Sequence, residues 1–139
     1  MTVQLSPQRK TKRKVRPRLP RNVKTTLVDF QKRLLELFPN EISQLILFGS
    51  YARGEFTPDS DVDVLVVVKW SEVRLPDGSY EAPIADPRWQ SIINVAADAL
   101  LASGLEVAPL VVSEHRFREG FPLVTRVKRE GLILWTTPN

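Results

Sequence analysis

Cysteine is absent from the sequence. Disulfides, thiolate metal sites and cysteine nucleophiles are therefore excluded, and a reducing compartment fits. Long hydrophobic runs are absent too. The longest, Val64 to Val68, is far too short to span a bilayer. The first residues carry no apolar stretch with a cleavage site, as a secretory signal would. The chain is accordingly read as cytoplasmic. Histidine occurs once, at His115 in the polar run Ser113-Glu114-His115-Arg116, the setting of an inert exposed side chain. No internal repeat is found.

What is present describes one soluble domain. The 139 residues, 42% of them hydrophobic, can bury a core without staples. The formal net charge of +4 conceals an uneven division. Residues 1–24 hold nine Lys or Arg and no acid, which leaves 11 basic and 16 acidic residues in 25–139. The segment from Arg9 to Arg21, RKTKRKVRPRLPR, has no hydrophobic periodicity, and its like charges repel. It is expected to be a disordered arm, with 25–139 as the folded domain. Residues 9–24 either touch nucleic acid or an acidic protein face, or form a solvated tail.

From Thr25 the pattern alternates helices and strands. Thr26 is expected to cap a helix whose apolar face is Leu27, Phe30, Leu34, Leu37 and Phe38, ending at Pro39-Asn40. Ile42 to Phe48 reads as a strand, Tyr51 to Gly54 as one helical turn, and Asp61 to Lys69 as a valine-rich strand. Residues 70–88 form a connection with a tight turn at Leu75-Pro76-Asp77-Gly78-Ser79. A helix follows from Trp89 to Ser103, its face being Trp89, Ile92, Ile93, Ala96, Ala99 and Leu100, with Gly104 as left-handed cap. Leu105 to Val112 is a third strand, Pro122 opens a last helix, and Leu132 to Trp135 is a short final strand. The tryptophans Trp70, Trp89 and Trp135 are assigned to packing rather than base stacking. The expected architecture is α/β (α+β), with a mixed sheet of about four to five strands and helices packed against it.

The informative stretch is Leu47 to Val68, LFGSYARGEFTPDSDVDVLVVV. A strand that ends in Gly49-Ser50 and turns into a helix exposes backbone N–H groups and a hydroxyl, a cradle for phosphate. Asp61 and Asp63 lie two apart on a strand, so both carboxylates project from one face while Val62 and Val64 point to the core. Two adjacent carboxylates repel unless a cation sits between them, and a hard divalent ion is the natural occupant. Metal ions so held stabilise attacking and leaving oxygens in phosphoryl or nucleotidyl transfer. A Gly-Ser turn alone is common, and an Asp-x-Asp pair alone is often a solvated strand end. Their combination is far more specific. Arg53, three residues after Ser50, can hold phosphate or pair with a surface acid.

Gly49-Ser50, ten residues, then Asp61-Val62-Asp63 resembles the signature of the DNA polymerase beta-like nucleotidyltransferase superfamily. The fuller match, Phe48-Gly49-Ser50-x-Ala52-Arg53-Gly54 and Ser60-Asp61-x-Asp63-Val64-Leu65-Val66, is similar to its minimal nucleotidyltransferase branch, over about residues 25–135. The resemblance implies a nucleotidyltransferase fold that binds ATP or another triphosphate with Mg2+ or Mn2+, with metal on Asp61 and Asp63. A third carboxylate on a later strand completes such sites. Glu106 is the only acid there, so it is the candidate third ligand and base, or else an exposed strand-start residue. Ala108 shares its face and is the alternative equivalent position, in which case the third ligand is missing. The resemblance further implies transfer of AMP to a hydroxyl, often a tyrosine of an all-helical HEPN partner neutralised as a toxin. Two other readings stay open. One is a non-catalytic antitoxin or interaction module that docks with nucleotide as a structural ligand. The other is a nucleic-acid-directed protein using the basic arm.

Overall fold

The computed structural model describes residues 4–5, 18–81 and 85–138. The elements are β1 (Gln4–Leu5), α1 (Arg21–Leu37), β2 (Ile42–Phe48), α2 (Ser50–Arg53), β3 (Val62–Val68), α3 (Pro87–Ser103), β4 (Val107–Ser113), α4 (Glu114–Glu119), α5 (Pro122–Glu130) and β5 (Leu132–Thr136). They form the expected mixed sheet, in the order β1-β5-β2-β3-β4. Strand β2 runs antiparallel to β3 and β5, and β3 runs parallel to β4.

Strand β3 lies inside this sheet, and its run Val64 to Val68 is buried on both faces, as an interior strand covered on two sides requires. One face, through Val62, Val64, Val66 and Val68, packs against α1 and α3. The other, through Leu65 and Val67, meets Ile46, Val112 and Val127 of α5. Full burial of each such aliphatic side chain contributes about 1.5–3 kcal/mol. The three tryptophans are partly buried against the first core, as expected for packing residues.

The sequence pattern misplaced several boundaries. Helix α1 begins at Arg21, and Thr26 is a buried interior residue rather than a cap. Buried Leu19 and Val23 extend the apolar stripe a turn earlier, and Pro20 is tolerated at a helix start because no intrahelical partner awaits its missing N–H. Leu37 and Leu100, both assigned to buried faces, are exposed. The buried stripe of α3 is Ile92, Val95, Ala96 and Ala99. The polar run around His115 forms helix α4, capped by the Ser113 hydroxyl, which accepts from Arg116 N–H at 3.1 Å. The turn at 75–79 does close a small hairpin, with Arg74 bridged to Tyr80. In the basic head, Gln4 and Leu5 pair with β5. Residues 6–17, on which most of the expected arm and its nucleic-acid contact fall, lie outside the described residues.

Asp86 caps α3, accepting from Arg88 N–H at 2.9 Å and from the Arg88 guanidinium at 3.1 and 2.8 Å. The Arg88 hydrogen bond holds the Asp86 carboxyl below its ordinary range. Asp86→Ala should therefore lower unfolding free energy by about 1 kcal/mol near neutral pH. A depressed carboxylate pKa stabilises the fold above the unfolded value and loses that effect as pH falls through the folded value. The wild-type advantage, measured by urea unfolding, should thus shrink below about pH 4.

Candidate active site

Antiparallel pairing brings the end of β2 beside the start of β3, with Phe48 opposite Asp63. The chain then turns sharply at Gly49, whose φ of 77° lies in the region that L side chains rarely adopt. Sterics make the same demand. A Cβ on Gly49 would lie 2.2 Å from Oδ2 of Asp63. The Asp63 carboxylate thus rests directly against the Gly49 backbone. Past the turn, Arg53 N–H donates to the Gly49 carbonyl at 3.1 Å and Glu55 N–H to that of Ser50 at 2.9 Å. Tyr51 and Ala52 are buried in the core and anchor the turn.

Asp61 is exposed just before β3, and Asp63 is half-buried within it. Val62 and Val64 are fully buried on the core side, so alternation sends both carboxylates to the opposite side, as expected. Burial pushes Asp63 above the ordinary carboxylate range, the Asp61 charge adds to this, and Arg53 opposes it. A neighbouring cation would relieve both effects. Arg53 forms an ion pair with Glu55 at 3.0 Å, about a third of its side chain being exposed. Such a pair is weak enough to yield to a stronger anion.

A cavity of about 300 Å³ is lined by Phe48, Gly49, Ser50, Arg53 and Asp63 on one side and by Leu123, Arg126, Val127 and Glu130 of α5 on the other; Asp61 does not line it. Hard oxygen donors beside a main-chain turn and two arginines suit a phosphate ester with a divalent cation.

The nucleotidyltransferase domain model matches residues 27–128. The chain belongs to the nucleotidyltransferase family. Two relatives come from Methanocaldococcus jannaschii. "Putative protein adenylyltransferase MJ0604" is 28% identical over 82% of this chain and 99% of its own length. "Putative protein adenylyltransferase MJ0141" is 32% identical over 60% of this chain and 72% of its own. Among solved structures, a toxin–antitoxin crystallised with AMP-PNP shares the fold, with a TM-score of 0.50 and 20% identity over 78% of this chain and 72% of the other.

The remaining expected site residues of this nucleotidyltransferase are placed less tightly. Glu106 is exposed, immediately before β4, and its carbonyl accepts from Val62 N–H at 2.8 Å. The parallel register sets Val107 beside Val62 and Ala108 beside Asp63. Glu106 therefore flanks Asp61, while an alanine flanks Asp63. Glu106 does not line the cavity, and among the described residues no three His, Asp or Glu side chains converge as a metal-binding group. His115 is exposed on α4, 3.4 Å from Glu119. Sequence reasoning missed Arg126 and Glu130. Their signal was the spacing Leu123, Arg126, Val127, Glu130, one face of a helix. A second depression of about 300 Å³ lies between Trp70 and Trp89, and none of the expected site residues lines it.

Gly49→Ala should destabilise the protein by about 1–3 kcal/mol, from the positive φ and from the collision with Asp63. In an Asp63→Ala background the steric part disappears. The same substitution should then cost less, and a double-mutant cycle by denaturant unfolding measures the difference. Additive costs would show that the two residues do not touch.

Proposed function

We propose that this nucleotidyltransferase moves AMP from ATP to a hydroxyl of a protein acceptor, a tyrosine of a HEPN-type partner. The observation that carries the reading is the seating of the Asp63 carboxylate against the Gly49 turn, in the cavity that also holds Ser50 and Arg53. Support for a protein acceptor comes from the relatives' names and from the toxin–antitoxin crystallised with AMP-PNP.

The roles follow from the chemistry. Gly49 and Ser50 hold the triphosphate through main-chain N–H groups and the hydroxyl, and Arg53 adds charge. Asp61 and Asp63 would hold Mg2+ or Mn2+, whose charge stabilises the phosphates and the departing pyrophosphate. The acceptor oxygen attacks the α-phosphorus, the bond from that phosphorus to the bridging oxygen breaks, and pyrophosphate leaves. Glu106, flanking Asp61, takes the acceptor's proton.

Two outcomes are expected. Asp61→Asn with Asp63→Asn should abolish metal-dependent ATP binding in calorimetry while the fold survives, because removing like-charge repulsion rarely destabilises. Unchanged affinity would refute the site. Glu106→Gln should lower transfer of label from ATP to the partner by about 10²–10⁴-fold with little change in ATP affinity. Equal transfer by the variant would make Glu106 a surface residue. ATP binding without transfer by the wild type would favour a docking module, which is the reading that Ala108 beside Asp63 supports.

A further inference from the structure

Glu130 is the last residue of α5 and faces the cavity that holds Asp63 and Ser50. Its Oε2 is buried and has no hydrogen-bond partner among the described residues. The other oxygen, Oε1, has among the described residues only a distant contact, 3.9 Å to Arg129 Nη2. The residue is also badly placed for stability. A negative charge at a helix C-terminus opposes the macrodipole, and a buried carboxylate oxygen without a donor is unfavourable in itself. Nor is its position loose. Gly131 follows, and a Cβ there would lie 2.5 Å from Ile46 Cγ2 and 2.6 Å from the Val127 carbonyl. The missing side chain lets the end of α5 sit down on β2, two residues before Phe48.

No described residue donates to Oε2, and the cavity that Glu130 lines is where a donor can approach the carboxylate. Phosphate brings only acceptors and negative charge. A shared metal would need the acids to converge, and among the described residues no three do. What remains is a neutral hydroxyl or amine. On the same face of α5, Leu123 and Val127 give an apolar wall, and Phe48 stands across the cavity. Arg126, one turn before Glu130, is the cation on this side. An apolar wall with one acceptor at its end suits a sugar ring that presents its hydroxyls.

We infer that Glu130 is a specificity residue for the nucleotide, accepting a hydrogen bond from a ribose hydroxyl. This rests on the nucleotide reading of the cavity. The consequence is discrimination by the α5 wall against nucleotides that lack the contacted hydroxyl, separate from the triphosphate cradle on the Gly49 turn.

The test is calorimetry of the full chain with Mg2+ and ATP, 2′-deoxy-ATP, 3′-deoxy-ATP and inosine triphosphate, for the wild type, Glu130→Gln and Glu130→Ala. The wild type should lose about 10–100-fold in affinity when the contacted hydroxyl is missing, as for a hydrogen bond to a charged group. Glu130→Ala should bind ATP and that deoxy analogue alike, with Glu130→Gln intermediate. The melting temperature should stay level or rise in both variants, because an unfavourable charge is removed. Discrimination against deoxynucleotides that persists undiminished in Glu130→Ala overturns the assignment. So does a variant that stops discriminating only between ATP and inosine triphosphate, since the donor would then be the base amine. If the wild type binds no nucleotide, the cavity reading fails and Glu130 falls with it. If it binds ATP but treats all sugars alike, only the Glu130 inference fails.

Discussion

The site depends on the distance between the Gly49 backbone and the Asp63 carboxylate. Any side chain at Gly49 would occupy the place of Asp63 Oδ2, and the turn's positive φ independently favours glycine. The contact is made possible by the register of β2 on β3, which sets Phe48 opposite Asp63. The register in turn is held by the valines and leucines that β3 buries on both faces. A slip by one residue would turn Asp61 and Asp63 into the core and Val62 and Val64 out of it. The hydrophobic core and the carboxylate geometry are therefore one constraint.

The legible part of the protein was the part where local chemistry decides. The Gly49-Ser50 turn, the same-side pair Asp61 and Asp63 and the mixed sheet could all be read from alternation and turn residues, because strand period and glycine chemistry act over a few residues. Helix faces were less legible. Leu100 matched the helical period yet is exposed, since the neighbours of α3 bury a stripe that includes Val95 instead. Arg21 was assigned to the basic arm, yet α1 begins there, with Pro20 as its N-cap. Arg126 and Glu130 could not be assigned to the site because nothing local says that α5 lies across the Gly49 turn. That is a tertiary fact, brought about by Val127 in the second core and by the close approach of Gly131 to Ile46.

The cavity has two unlike walls. One, from β2, α2 and β3, carries the turn, Ser50, Arg53 and Asp63, all suited to phosphate and a hard cation. The other, from α5, is apolar apart from Arg126 and Glu130. A nucleotide has the same division, with charge at one end and a ring system at the other. Glu106 stands outside the cavity on the Asp61 side, exposed to solvent.

The most direct test of this account is a crystal structure with a non-hydrolysable ATP analogue and Mn2+, read by anomalous scattering. The account predicts a manganese peak between Asp61 and Asp63 and the triphosphate on Gly49 and Ser50. Manganese absent from these carboxylates, with the nucleotide seated in the depression between Trp70 and Trp89, would contradict it.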